Sequence, residues 1–185
     1  MTQTTATLDA TRTAWQIDPS HTDVSFSVKH LMISTVRGRF GQVQGTIEID
    51  ETDPASSTVA GEIEAASIDT RDERRDTHLR SADFFDAETH PAIRFTSRDV
   101  RIGKDGRFDV TGELTIRGVT REVVLKATDE GRGSDPWGGE RAAFSATTTV
   151  DRRDFGLTWN QALETGGVLV GNDIRISLDV QAIKS

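Results

Sequence analysis

Four histidines, at positions 21, 30, 78 and 90, are the side chains that could bind a metal or transfer a proton near neutral pH. No two of them have the i, i+4 or His-x-His spacing that is typical of a metal site. Ser20, His21 and Asp23 supply the residue types of a hydrolase triad, but neighbouring strand residues point to opposite faces, and no nucleophile elbow is present. We therefore expect no metal site and no triad, and interpret the histidines as structural hydrogen-bonding positions.

The charge balance excludes further classes of function. The chain has 30 acidic and 22 basic residues and a net charge of −8, so its surface repels phosphate backbones, and we expect no nucleic-acid partner. It has no cysteine, which excludes disulfides, thiolate nucleophiles and zinc-cysteine sites. Phosphate-loop and dinucleotide motifs are also absent from the sequence, and we expect no cofactor.

The first residues are rich in threonine and show neither periodicity nor the basic and apolar regions of a signal peptide. No apolar run in the chain approaches the roughly 18 residues of a membrane span. The sequence thus predicts a disordered arm over residues 1–14, one domain over residues 15–185, no stable membrane anchor and a cytoplasmic location. A domain of this length buries about 70% of its extended surface, so it needs no disulfide or structural metal.

Period-two alternation of apolar and polar residues runs through most of the chain after Trp15 and predicts half-buried strands, the last of them over 168–182. Glycines at positions 45, 61 and 112 fall inside such strands, where they let a sheet curl and close. About eight long antiparallel strands with short turns predict an all-β protein, an eight-stranded up-and-down barrel. A two-sheet sandwich is the alternative, although its strands are usually shorter.

A segment that begins near Thr70 breaks the alternation and predicts a short helix over the end of the barrel. Thr70 followed by Glu73 forms a capping box, which places the helix at 71–81. Leu79 is the one large apolar residue of this helix, and the residues that share its face are mostly charged. This face either closes over a polar group of a ligand or forms a salt-bridge network that fastens the helix.

A second segment, 151–167, also lacks alternation and predicts a short helix or an ordered loop. Phe155 and Trp159 lie four residues apart and could pack on one helical turn. Several inward positions of the predicted strands hold Gly, Ala or Thr, which leaves an eight-stranded barrel underfilled. The sequence therefore predicts an apolar tube inside the barrel, although any single aromatic residue could equally be core.

Three motifs together resemble the YceI-like lipid-binding family. They are DPSHTDVSFSVKHL at 18–31, which continues to VRGRF at 36–40; RDTHLRSADFFD at 75–86; and GELTIRGVT at 112–120. They occur in the family's order, and the similarity extends over residues 15–184, which makes the set more specific than any one motif.

The resemblance implies a lipocalin-like antiparallel barrel with a helical cap. Its lumen would hold a long amphiphilic lipid, typically a polyisoprenoid or a fatty-acid derivative, and no catalysis is implied. Dimers are common among similar proteins, so a homodimer is left open.

We therefore expect a non-enzymatic binder or carrier of a long-chain isoprenoid or fatty-acyl lipid. Two alternatives remain: an enzyme that acts on an apolar substrate with Asp76, His78 and Arg80, and a stress-related interaction module with a filled barrel. The residues expected to line the apolar lumen are Phe26, Val28, Leu31, Phe40, Ile47, Ile49, Ile63, Phe84, Phe85, Phe95, Leu114, Phe144, Phe155, Trp159, Ile174 and Ile176. The residues expected at the polar head of the lipid, or in the network that fastens the cap, are His21, His30, Arg75, Asp76, His78 and Arg80.

Overall fold

The computed structural model describes residues 11–185, which form eleven strands and one α-helix. The strands are β1 (Arg12–Ile17), β2 (Asp23–His30), β3 (Ser34–Phe40), β4 (Val43–Asp50), β5 (Thr58–Glu64), β6 (Ile68–Asp69), β7 (Ala92–Ile102), β8 (Arg107–Ile116), β9 (Val119–Ser134), β10 (Glu140–Asp151) and β11 (Asp173–Lys184). The helix, α1 (Glu73–Arg80), lies between β6 and β7.

Eight antiparallel strands close into a barrel in the order β1-β4-β5-β7-β8-β9-β10-β11. The ring closes where β11 pairs with β1, which places Trp15 opposite Lys184 and Ile17 opposite Ala182. The predicted eight-stranded antiparallel barrel with a short helix is therefore confirmed, and the sandwich alternative is wrong. One departure from an up-and-down order occurs between β1 and β4, where β2 and β3 intervene and β2 pairs with β11 instead of β1.

The two ends of the barrel differ in what covers them. One end, named here the cap end, carries α1 and the residues 152–172 that connect β10 to β11. The other, named here the far end, carries the turns at 51–57, 103–106 and 135–139. This difference decides which part of the interior is closed by apolar packing and which part meets charged residues.

Asp18 joins β1 to β2 at the point where both strands meet β11. Its backbone N–H donates to Gln181 O at 2.8 Å, and its carboxylate accepts from Ser20 Oγ at 2.6 Å and from Arg141 Nη1 at 2.8 Å. These hydrogen bonds hold the pKa of the buried Asp18 carboxyl well below its usual range. The hydrogen bond from Ser20 has the largest effect, and the one from Arg141 has the next largest. The carboxylate is thus a structural anion that fastens this junction.

We expect Asp18→Asn to lower the free energy of unfolding at pH 7 by about 2 kcal/mol, since it removes charge-assisted hydrogen bonds. A depressed folded-state pKa stabilises the fold above the unfolded value near 4 and loses that stabilisation as the pH falls further. The difference between wild type and variant, measured by urea unfolding, should therefore shrink between about pH 4 and pH 2. Asp23→Asn is the control, because the exposed Asp23 makes no side-chain hydrogen bond within residues 11–185. A difference that stays constant with pH would contradict the assignment.

The helix is shorter than predicted and begins later. Its N-cap is Asp72, whose side chain accepts hydrogen bonds from the backbone N–H groups of Arg74 and Arg75. The predicted start at Arg71 is wrong, because Arg71 adopts a left-handed φ of 64°. Thr70 does not cap the helix; its hydroxyl donates to Asp76. Within residues 11–185 no helix is both long and apolar enough to cross a membrane.

The segment before β11 also differs from its prediction. Strand β11 begins at Asp173, so the strand predicted over 168–182 is wrong in its first five residues. Val168 forms an isolated bridge with Ala162, and the backbone of Val170 bonds to the side chain of Asn160. The alternating residues of this stretch therefore belong to an ordered loop that folds back on itself.

Two smaller predictions need correction. The expected arm over residues 1–14 is wrong for 12–14, because β1 begins at Arg12 and pairs with β4, which places Arg12 opposite Asp50. Residues 1–10 lie outside the described part of the chain. Phe155 and Trp159 do not share a helical turn, because a 3-10 helix over Arg152–Phe155 ends at Gly156, whose φ of 78° is left-handed.

Candidate functional site

A cavity of about 510 Å³ runs along the inside of the barrel and has a predominantly apolar lining. Its size is within the usual range of small-molecule pockets. The lining includes fourteen of the sixteen residues predicted for the lumen: Phe26, Val28, Phe40, Ile47, Ile49, Ile63, Phe84, Phe85, Phe95, Leu114, Phe144, Phe155, Ile174 and Ile176. Eleven of these residues lie on strands, whose alternation places their side chains on the inner face of the sheet. The other three, Phe84, Phe85 and Phe155, come from the segments that cover the cap end.

The other two predicted lumen residues, Leu31 and Trp159, lie outside the lining, so this expectation is wrong for both. Leu31 occupies the turn between β2 and β3 and is exposed. Trp159 packs edge-on against the His78 ring, with centroids 4.7 Å apart, and lies next to Phe84 behind the cavity wall. Its ring supports the lining from outside.

Small inward residues leave room for the cavity. At Gly112 of β8, an added Cβ would lie 2.5 Å from the ring of Phe95 on the neighbouring strand. The glycine thus leaves the space that the Phe95 ring occupies, which a larger residue at this position would take. Ala127 and Ala146 likewise contribute short side chains to the lining.

Apolar packing closes the cap end of the cavity. Leu79 of α1 and Phe84 and Phe85, which follow it, line the cavity together with Phe155 and Leu157 from the connection between β10 and β11. Phe155 and Leu157 belong to the same buried cluster as Phe84, and Leu79 and Phe85 pack against it. The helix therefore contributes its one large apolar side chain to the lumen, as its position on the inner face predicts.

Arg152 also lines the cap end, and sequence reasoning missed it. The side chain is inaccessible, with 4% of the residue exposed, and burial lowers the pKa of its guanidinium. It donates to the carbonyl oxygens of Gly171, Leu157, Trp159 and Val170 and to Asn172 Oδ1, at 2.7 to 3.4 Å. It holds the loop over the cap end. Nothing in the sequence distinguishes it from the exposed Arg153 beside it.

The charged residues of α1 do not line the cavity. Arg75 donates from Nε to Thr70 Oγ1 at 2.7 Å and from Nη2 to Thr70 O at 2.9 Å. Arg80 donates from Nε to Ala66 O at 2.8 Å and from Nη2 to Ile68 O at 3.0 Å. The buried Asp76 accepts from the backbone N–H and the hydroxyl of Thr70. All three side chains thus fasten the helix to the chain that precedes it.

The predicted polar histidines also lie outside the lining. His78 Nε2 bonds to Asp83 Oδ2 at 2.8 Å, and His30 is at the end of β2, where its backbone bridges to Val170. His21 is in the turn between β1 and β2. The side chains of Asp76, His78 and Arg80 each bond to a different group and do not converge on one reacting centre.

His21 does contact a serine and an aspartate, but not in the geometry of a hydrolase triad. Both Ser20 Oγ, at 3.0 Å, and Asp18 Oδ2, at 2.9 Å, approach the same ring nitrogen, Nδ1. A triad requires the base to contact the nucleophile through one nitrogen and the carboxylate through the other. The Asp23 that completes the sequence pattern takes no part in this cluster. The cluster is a capped turn.

Charged residues line the cavity near its far end. Glu51, Arg107, Asp129 and Arg132 contribute to the lining there. Arg132 Nη1 donates to Glu51 Oε1 at 2.7 Å, and its guanidinium lies 5.3 Å from the centre of the Trp15 ring. The two ends of the interior therefore differ, because apolar packing closes the cap end whereas charged side chains form a rim at the far end.

The buried polar side chains of the described residues all have hydrogen-bond partners. Among residues 11–185, no buried side-chain nitrogen or oxygen lacks a hydrogen-bond partner. In the same range, no three His, Asp or Glu side chains are grouped so that they could hold a metal ion.

A closed antiparallel barrel around an apolar cavity, with one end covered by a helix and an ordered loop, defines the class of small-ligand-binding barrels. The sequence profile of the YceI-like domain family matches residues 15–182, and the chain belongs to this family. The resemblance inferred from the three motifs is thereby confirmed.

Curated relatives have similar sequences over most of the chain. A UPF0312 protein of Pseudomonas putida strain F1 is 42% identical over 137 residues, which is 74% of this chain and 71% of that protein. A UPF0312 protein of Ectopseudomonas mendocina is 41% identical over 138 residues, 75% of this chain and 72% of that protein.

Solved structures share the fold. The YCEI protein of Campylobacter jejuni has a TM-score of 0.72 and 31% identity, with 85% of this chain and 90% of that chain covered. BcnA of Burkholderia cenocepacia has a TM-score of 0.78 and 22% identity, with coverage of 89% and 98%. A polyisoprenoid binding domain from Saccharophagus degradans has a TM-score of 0.70 and 13% identity, with coverage of 92% and 98%. At such identities the last two show the fold alone.

Proposed function

We propose that this protein binds a long-chain amphiphilic lipid, a polyisoprenoid or a fatty-acid derivative, inside the barrel, without catalysis. The observation that carries the proposal is the apolar cavity of about 510 Å³ along the barrel. Membership of the YceI-like family supports it, as does the shared fold of a domain described as polyisoprenoid binding. Polyisoprenoid binding belongs to the Saccharophagus degradans domain, and the ligand of this chain has to be identified by experiment.

The free energy gained by burying a lipid chain in this cavity is large enough for measurable affinity. Each buried CH₂ group contributes about 0.8 kcal/mol, so about ten methylene equivalents give a gross 8 kcal/mol, which corresponds to micromolar affinity before association costs. Longer chains should bind more tightly until the cavity is full.

The asymmetry of the interior supports one orientation of the lipid. The tail would lie against Phe84, Phe85 and Phe155 at the cap end, where the buried Arg152 has its hydrogen bonds directed to the loop. The other cation of this part of the lining, Arg94, is exposed and pairs with Glu62 at 2.8 Å. The polar head would lie at the far end, near Arg107 and Arg132. The apolar tail would thus lie against apolar side chains, and the polar head would lie next to charged ones.

The cluster on α1 then has a structural role. Arg75, Asp76 and Arg80 bond to the chain at residues 66–70, which favours the network that fastens the cap over a head-group site. The same geometry weakens the alternative of an enzyme that uses Asp76, His78 and Arg80. A stress-related interaction module with a filled barrel is also disfavoured, because side chains that filled the barrel would leave no cavity of this volume.

Native mass spectrometry and thermal unfolding test the proposal. We expect the delipidated protein to take up one prenyl or fatty-acyl chain per barrel and to unfold at a higher temperature as chain length increases, up to a limit. Ala146→Phe, which adds a ring to the lining, should lower that limit. Failure of all such compounds to bind or to protect against unfolding would overturn the proposal.

Two further predictions from the sequence stay predictions, namely a cytoplasmic location and the absence of a nucleic-acid partner, and a homodimer stays open.

A further inference from the structure

Three consecutive apolar side chains are exposed at the turn between β2 and β3. Leu31, Met32 and Ile33 are exposed by 38%, 61% and 81%. The turn, named here the β2–β3 tip (residues 31–33), lies at the cap end, where the Leu31 N–H donates to Leu169 O at 2.9 Å. An isolated exposed apolar residue is ordinary, whereas three adjacent ones at the end of a hairpin form a patch that water disfavours.

Besides exposing these side chains, the β2–β3 tip has a strained backbone. Leu31 and Met32 have φ values of 53° and 61°, in the left-handed region that glycine or asparagine adopts at little cost. A hairpin turn with a positive φ at two successive residues usually contains those residue types. The sequence here places large apolar side chains instead, so the tip combines unfavourable backbone with unfavourable exposure. Such a combination points to a function that needs these side chains outside the protein.

A row of cations lies on the outer face next to the tip. Lys29 of β2 lies two residues from Ser27, and Ser27 has Arg37 of β3 and Arg175 of β11 as its direct neighbours on either side. Within residues 11–185 none of these three cations forms an ion pair or a side-chain hydrogen bond.

The acidic groups near this row include Asp173, which lies two residues from Arg175 on β11, and Asp151 of β10, which lies opposite Asp173 and pairs with Arg153. Glu164 lies in the loop turn that packs beside the tip. A concentration of unpaired cations is unexpected on a chain with a net charge of −8. The tip therefore joins an apolar point to a cationic flank, which is the pattern that binds an anionic bilayer surface.

We propose that the β2–β3 tip inserts into anionic lipid bilayers while Lys29, Arg37 and Arg175 contact the head groups. The proposal builds on the proposed function, since a lipid carrier must meet the membrane that holds its cargo. Strand β2 also connects the two sites, because its residues Phe26 and Val28 line the cavity.

Co-sedimentation with vesicles tests the docking surface. The delipidated full chain should bind vesicles of phosphatidylglycerol and phosphatidylcholine at least tenfold more tightly than vesicles of phosphatidylcholine alone, and 0.5 M salt should remove the difference. Met32→Ser with Ile33→Ser should weaken binding at least tenfold, and Lys29→Gln with Arg37→Gln should have a comparable effect. Equal binding by wild type and both double variants would overturn the proposal.

Matched variants at the far end serve as controls. Trp137→Ser removes an exposed apolar side chain that does not line the cavity, and Arg101→Gln with Lys104→Gln removes two exposed cations. Both should bind vesicles as the wild type does. Loss of vesicle binding in either control, with the tip intact, would assign docking to the far end and overturn the proposal.

Two further measurements distinguish membrane docking from the proposed lipid uptake and from self-association of the chain. Uptake of a detergent-dispersed lipid by the tip variants should equal that of the wild type, because residues 32 and 33 do not line the cavity. Vesicle binding that depends on the tip supports the docking surface even in a protein that takes up no lipid, so failure of the proposed function is recognised separately. Analytical ultracentrifugation gives the other result: a dimer that the tip variant abolishes, without vesicle binding, would overturn membrane docking in favour of a second copy of the chain.

Discussion

Phe95→Glu should abolish lipid uptake and destabilise the fold by about 3 kcal/mol, the range of losses seen when a large apolar core residue is removed. Phe95 lines the cavity and packs against two of the three buried clusters, one towards the cap end and one formed by Val100, Val110 and Ala127. A carboxylate at this position has no partner within the apolar lining and draws water into it. Uptake by native mass spectrometry and urea unfolding measure the two effects.

Val124→Glu is the matched control for this change. Val124 lies on β9 between Val123 and Leu125, which both line the cavity, but its own side chain is on the outer face and exposed. The same charge introduced there should leave uptake unchanged and alter stability by less than about 1 kcal/mol. If Phe95→Glu bound lipid and unfolded as the wild type does, the assignment of the inner face would be wrong.

Arg152→Met should destabilise the protein by at least about 3 kcal/mol and loosen the loop over the cap end. The substitution keeps an apolar stem of similar length but removes all five hydrogen bonds that the guanidinium donates. Each buried carbonyl left without a donor costs about 1 to 3 kcal/mol, partly relieved when water enters. Faster amide hydrogen exchange confined at first to residues 156–172 would show the local effect.

Arg153→Met tests whether the destabilisation expected for Arg152→Met is due to the burial of Arg152. Arg153 is the next residue, its side chain is 57% exposed, and it pairs with Asp151 at the surface. Removing this surface pair should cost less than about 1 kcal/mol and leave exchange in the loop unchanged. Similar losses for the two arginines would contradict the assigned role of Arg152.

The sequence predicted the barrel well because the pattern that defines the barrel is local and recurs in every strand. Each strand alternates apolar and polar residues, and one inner face follows from that alternation wherever the strand lies in the sheet. Phe26, Leu114 and Ile176 therefore appear together in the lining, although they come from distant parts of the chain. Small inward residues such as Gly112 and Ala127 likewise predicted unoccupied space without any knowledge of strand order.

The missed features depend on tertiary contacts that have no local pattern. The apolar tendency of Leu31 predicts burial, but its place in a three-residue turn puts it outside. Thr70 and Glu73 have the spacing of a capping box, yet the Thr70 hydroxyl bonds to the buried Asp76, and Asp72 caps the helix. Arg152 is buried because a loop folds over it, and a sequence does not show which of two adjacent arginines the loop will cover.

The pairing of β1 with β11 has a consequence for the order of folding. Trp15 lies opposite Lys184, so the strands that close the barrel come from the two extremes of the described chain. The entropy lost in bringing such distant residues together delays this contact, and folds dominated by non-local pairs form slowly. The meander from β4 to β11 can assemble by hairpins first, with its inner apolar face still open along one side. During synthesis this face stays open until β11 has been made, and a transiently exposed apolar face of this kind is prone to aggregation.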